Sequence, residues 1–174
     1  MSPEVERLVR TLELSVHPEG GYYREIYRST ETVTRDALPS RFGGPRAFST
    51  AIYFLVPSGT FSALHDIASD ECWHHYEGDP LRVVTLDEAG VREDFVLGKA
   101  LEGKERPFAV VPAGRVFGSF SEAPSDGRSS VGFSLVGCTV APGFDFADFR
   151  MESRAALLRR FPGHDAIVTA LTRA

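Results

Sequence analysis

From Ala47 to Val140 the chain divides into short runs rich in β-branched and aromatic residues: AFSTAIYFLV, GTFSALHDI, DECWHHYEG, LRVVTLDEAG, VREDFVLG, PFAVVPAG, VFGSFS and SVGFSLVGCTV. Most are separated by Gly, Pro or Asp-rich turns, and PSDGR, Pro124 to Arg128, is a strong turn signal of this kind. Short strands closed at such intervals leave no room for crossover helices. They predict an all-β sandwich or barrel.

The flanks have a different period. SPEVERLVRTLEL places Val5, Leu8, Val9 and Leu12 at helical spacing, with Ser2 as N-cap and Pro3 at the first helical position. MESRAALLRRF and HDAIVTALTR repeat that pattern on either side of Pro162-Gly163 and read as helices that cap the outside of the barrel. The expected organisation is one domain over residues 1–174, with a helix at about 3–14, a barrel at about 20–141 and helices at about 151–173.

The formal net charge of −5 gives no electrostatic reason to bind nucleic acid or an anionic membrane. No apolar run reaches the roughly 18 residues of a membrane span, and no leader pattern opens the chain, so a cytoplasmic protein is expected. Cys72 and Cys138 lack CxxC spacing and read as two buried thiols.

Chemistry-bearing residues concentrate between Gly59 and Gly78. His65 follows Gly59 after five residues, Glu71 follows His65 after five, and Gly78 follows Glu71 after six. This spacing resembles the first motif of the cupin superfamily, a small double-stranded β-helix (jelly-roll barrel) in which two histidines and a glutamate surround a metal. His65 matches the first histidine and Glu71 the glutamate, whereas Ile67 stands at the second histidine. PAGRVFGSFS resembles the second motif, with Pro112 and Gly114 at its turn and Phe117 at its histidine. Two of the four usual ligand positions are apolar, so no cofactor is expected. Were a divalent metal to bind, His65 and Glu71 would ligate it, with His74 or His75 as a third donor.

HPEGGYYRE, STAIYFLV, SDECWHHYEGDPL, VVPAG and SLVGCTVAPGFDFADF, in that order, resemble the DUF985 branch of the cupins, the Cupin-5 family. That branch is similar in fold to metal-free dTDP-sugar 3,5-epimerases, which use a barrel histidine as base. The resemblance implies a homodimer with exchanged N-terminal strands. It also implies a role for the GGYYRE segment beside the site, through Tyr22, Tyr23 and Glu25, although Gly20 replaces the arginine that binds a diphosphate in the epimerases. Arg24, Arg28 and Arg46 are the available substitutes.

His65 is the candidate base, with Glu71 or Asp66 as the carboxylate that orients it. Strand alternation from Glu71 puts Trp73 and His75 on its face and His74 on the other, whereas the family resemblance points to His74. Both histidines therefore stand as site residues. Tyr23 and Tyr53 are the candidates for a second proton carrier. Trp73 and Phe61 offer aromatic walls. GFDFADF is expected to anchor the chain against the barrel, with Asp145 and Asp148 solvated or capping the helix that follows. Three functions fit: a metal-independent cupin that binds a small polar ligand and isomerises or epimerises it, a binding or storage module without turnover, and a metal-dependent cupin enzyme.

Overall fold

The computed structural model describes residues 2–173. Helix α1 (Pro3–Thr11) starts where the sequence predicts, with the Ser2 hydroxyl accepting from the Val5 amide at 3.3 Å. It ends earlier than about 14, because Glu13 takes a positive φ of 53° and turns the chain towards the first strand. Twelve strands follow: β1 (Ser15–Val16), β2 (Tyr22–Arg28), β3 (Thr32–Val33), β4 (Arg46–Ala47), β5 (Thr50–Pro57), β6 (Phe61–His65), β7 (Asp70–Gly78), β8 (Leu81–Leu86), β9 (Arg92–Leu97), β10 (Phe108–Val111), β11 (Val116–Ser121) and β12 (Phe133–Ala141). Helices α2 (Arg154–Arg160) and α3 (Asp165–Ala170) close the chain. No helix among the described residues is long and apolar enough to cross a membrane.

The strands form two antiparallel sheets and a small ribbon. The larger sheet runs β1-β2-β5-β12-β7-β10, the smaller β6-β11-β8-β9, and β3 pairs with β4. Sequence neighbours lie in opposite sheets, β5 against β6 and β7 against β8, which is the jelly-roll plan expected from the spacing of the runs. One core fills the space between the sheets, with Phe54, Val56, Trp73, Val83, Leu97, Phe117 and Val136 at its centre.

The terminal helices cover the outer faces. Val5 and Leu8 of α1 pack on Leu55, Phe133 and Leu135 of the larger sheet. Leu157, Phe161, Val168 and Leu171 cover Leu64, Val84, Leu86 and Val116 of the smaller one. Edge strand β6 is also bridged by main chain: the Ala63 amide donates to Glu19 O at 2.8 Å, Leu64 to Leu171 O at 2.9 Å, and Asp66 to Arg150 O at 2.9 Å. The first of these bonds sets the position of Glu19.

Three departures from strand regularity re-aim side chains. The β2–β5 register shifts between Glu25 and Tyr27, so Arg28 comes to lie opposite Thr50, on the face that carries Tyr23 and Glu25. The β6–β11 register shifts between the Ser62 and His65 pairings. Residues three apart in a regular strand face opposite ways, yet Ser62 and His65 here reach the same carboxylate. The third shift, between β12 and β7, falls beyond His75 and leaves Glu71 and Trp73 in regular alternation.

Candidate functional site

A cavity of about 460 Å³ opens between the two sheets. Its polar floor comes from His17 and Glu19 of the turn before β2, His65 of β6 and Glu71 of β7. Its apolar wall includes Phe54, Ile67, Trp73 and Val140. Tyr23, Glu25 and Arg28 line it from β2, and Phe144, Asp145, Phe146 and Phe149 from the segment after β12.

His65 is held at both ring nitrogens. Nδ1 lies 2.7 Å from Ala63 O, which can only accept, so Nδ1 carries a proton. Nε2 lies 3.0 Å from Glu19 Oε2. Ser62 Oγ donates to the other oxygen, Glu19 Oε1, at 2.8 Å. Burial pushes the imidazole down to about 4 and the Glu19 carboxyl up, the latter against opposing effects of His17, Ser62 and Arg173. The neutral imidazole thus presents its Nε2 lone pair to Glu19 Oε2, and the raised carboxyl is placed to donate to it. Asp66, the other carboxylate considered as an orienter, pairs instead with Arg150 at 2.8 Å.

His17 occupies the other side of Glu19. The Glu19 amide donates to His17 Nδ1 at 3.3 Å, so that nitrogen presents a lone pair, and it lies 3.5 Å from Glu19 Oε2. Burial lowers the His17 pKa. Its ring stands edge-on to Tyr23, with centroids 4.4 Å apart.

Glu71 faces the same cavity. Burial, then the nearby Glu19 carboxyl, raises it to about 8. Cys138 and Trp73 act in the opposite sense as weak donors, although the indole Nε1–H finds no acceptor at hydrogen-bond geometry and remains buried without a partner. Both cysteines are free thiols, but only Cys138 is buried, whereas Cys72 is half-exposed.

The residues singled out in the sequence separate into two groups. His65, Glu71, Trp73, Tyr23 and Glu25 come together around the cavity. Tyr22, Tyr53, Phe61, His74 and His75 do not. Tyr53 lies on the outer face of the larger sheet, edge-on to Tyr76 at 6.1 Å, so it is not placed to donate a proton opposite His65. Tyr22 packs beneath α1, and Phe61 packs under the C-terminal helices. His74 points outwards to Thr139 Oγ1 at 3.3 Å and to the Phe108 ring. His75 does share the inward face, as alternation requires, but it lies past the cavity and bonds Asp79 O through Nε2 at 3.0 Å.

His17 and Glu19 are functional candidates that motif spacing does not identify, because they belong to a turn outside both cupin motifs. Their signal was the HPEGG run itself. Gly20 and Gly21 have φ of 119° and 70°, and a Cβ at Gly20 would strike Phe61 O. The same contact explains why no arginine stands at position 20. In GFDFADF, Phe144 and Phe149 pack against the core as expected, and with Phe146 they also line the cavity. Asp145 accepts from the Ala147 amide and Asp148 pairs with Arg46, while Ser153 caps α2.

A family model described as cupin superfamily (DUF985) matches residues 6–152. A hypothetical protein from Leishmania major is similar in structure, with TM-score 0.86, 34% identity, and coverage of 97% of this chain and 98% of that one. A protein from Shewanella oneidensis has TM-score 0.82 and 38% identity, with 97% and 96% covered. The oxalate decarboxylase of Bacillus subtilis shares the fold alone, at TM-score 0.52 and 16% identity, over 90% of this chain and 36% of that one. No curated protein matches the chain.

The metal that the cupin fold implies does not fit these residues. Ile67 and Phe117 occupy two ligand positions with apolar groups, both His65 nitrogens are engaged, and His74 and His75 lie outside the cavity. Among the described residues no group of three or more His, Cys, Asp or Glu is placed to hold a metal ion.

Proposed function

We propose that this chain, which belongs to the DUF985 family of the cupin superfamily, binds a small organic ligand between its sheets and moves a proton on it without a metal. The observation that carries this reading is the Glu19–His65 contact of 3.0 Å, with His65 Nδ1 pinned to Ala63 O, in a cavity that Glu71 also faces. Proton transfer next to a carbonyl requires one group to remove a proton and another to return it. Glu71, held near 8, exchanges a proton close to neutral pH, and the Glu19–His65 contact is placed to hold a second one. The isomerase or epimerase reading thus gains two proton carriers, neither of them a tyrosine.

The test follows solvent deuterium incorporation into a panel of carbonyl compounds that includes keto-sugar nucleotides. Wild-type exchange that falls at least about 100-fold in His65→Asn and Glu71→Gln supports proton transfer. Ligand-induced thermal shifts with no exchange on any compound would replace it with the binding-module reading, which the half-aromatic wall supports equally. Stoichiometric metal that tracks activity in protein purified without chelators would overturn both.

A further inference from the structure

The cavity lining is short of positive charge. Glu19, Glu25, Glu71 and Asp145 bring four carboxyls to it, and Arg28 is its one fixed cation. Arg28 is already committed: Nε and Nη2 donate to the two Glu25 oxygens at 2.9 and 2.7 Å, and its other bonds go to Phe144 O. An anionic guest would find no free guanidinium among the described lining residues to pair with.

The groups around Glu71 are arranged for its ionised form. Trp73 Nε1–H is buried without an acceptor, and Cys138 Sγ lies beside the same carboxyl on β12. Both are donors. Burial, and then the neighbouring Glu19 carboxyl, oppose a carboxylate here. A positive charge placed beside Glu71 would offset both by favouring its ionised form. The entrance is aromatic, with the Phe144 and Phe146 rings 5.0 Å apart, the Phe146 and Phe149 rings 6.1 Å apart, and Tyr23 on the opposite strand. Ring faces and carboxylates together are the environment that holds an organic ammonium group. An inorganic divalent ion is a poor occupant, since among the described residues no three such donors are placed to hold one.

We infer that the ligand of this cavity is an organic cation, a protonated amine carried on an apolar body, with Glu71 as its counter-ion and the phenylalanines at its entrance as the apolar contact. This assignment rests on the proposed ligand-binding function and narrows it to a substrate class. It argues against nucleotide sugars and sugar acids.

Binding then releases a proton from Glu71. The groups that face it are Glu19 and His17 from the turn before β2, His65 from β6, Cys138 from β12, and Glu25, Arg28 and Asp145 at the mouth, with Arg173 near Glu19. Calorimetry with 2-phenylethylamine, 2-phenylethanol and 3-phenylpropanoate compares one apolar body in three charge states. The amine should bind at least about tenfold tighter than the alcohol, and the carboxylate weakest. Amine affinity should rise towards tenfold per pH unit below about 8, with proton release measured in two buffers of different ionisation enthalpy. Glu71→Gln should flatten that dependence, and the wild-type proton release tests the same claim without any variant. Equal or tighter binding of the alcohol or the carboxylate overturns the cation assignment and leaves cavity binding intact. Failure of all three probes to bind counts against both.

Discussion

At Glu71 and His65, burial moves two ionisable groups in opposite directions, and protein stability must follow. Glu71 titrates near 8 in the folded chain and near 4.3 when unfolded. Between those values the native state binds the extra proton, so the Glu71 contribution declines as pH rises. His65 titrates near 4 when folded and near 6.5 when unfolded. There the unfolded state binds the extra proton, and stability declines as pH falls from about 6.5 to about 4. The His65 and Glu71 slopes oppose each other below about pH 6.5, and above it the Glu71 slope remains, in the same sense as that of Glu19, whose carboxyl burial also raises. We expect Glu71 to contribute a loss of about 2 kcal/mol between pH 6.5 and 8, a fall of about 4–8 °C in Tm, and Glu71→Gln to remove that share. Thermal melts across that window check this, and an equal slope in both proteins would refute it.

The HPEGG turn and the β6 bulge are the elements that assemble the site. The turn presses its backbone against Phe61 O and Leu55 O, where a Cβ on Gly21 would sit 2.7 Å from the latter. The bulge brings Ser62 and His65 to one side, and Gly118 on β11 allows it, since a Cβ there would lie 2.8 Å from Ser62 O. Gly118→Ala therefore overpacks a close backbone approach without any demand for positive φ, at a cost of about 1–3 kcal/mol. Gly20→Ala adds a forbidden φ and should cost more. Urea titrations give both values. A Gly118→Ala protein as stable as wild type would show that the bulge is not held by this contact. The double bond of Glu19 to Ser62 and His65 explains why these glycines belong to the site as well as to the fold.

For the whole molecule, the larger sheet leaves an open edge. β1 pairs only with Tyr22 and Tyr23 of β2, and Arg24 to Arg28 have no strand on their outer side among the described residues. Val16, Ile26 and Tyr27 are exposed along this edge. A long unpaired edge is a ready template for another strand, and a homodimer joined through N-terminal strands satisfies it. Light scattering on a sizing column should give about twice the 19.1 kDa chain mass at micromolar concentration. A clean monomer there would refute the dimer.

The run lengths and turn residues between Ala47 and Val140 were enough to specify β-structure, and the Gly59–His65–Glu71–Gly78 spacing was enough to place His65 and Glu71. Alternation also oriented Glu71, Trp73 and His75 correctly, because period-two geometry is a local property of the chain. Alternation alone cannot say how far along a strand the cavity extends, so His75 shares the face without reaching the cavity. Nor does it register a bulge, which is how Arg28 crossed to the cavity side and Ser62 joined His65. Glu19 became the partner of His65 through a bond from β6 to a turn more than forty residues earlier. Contacts of that separation are set by the packing of two sheets against each other, and no local pattern in the chain encodes them.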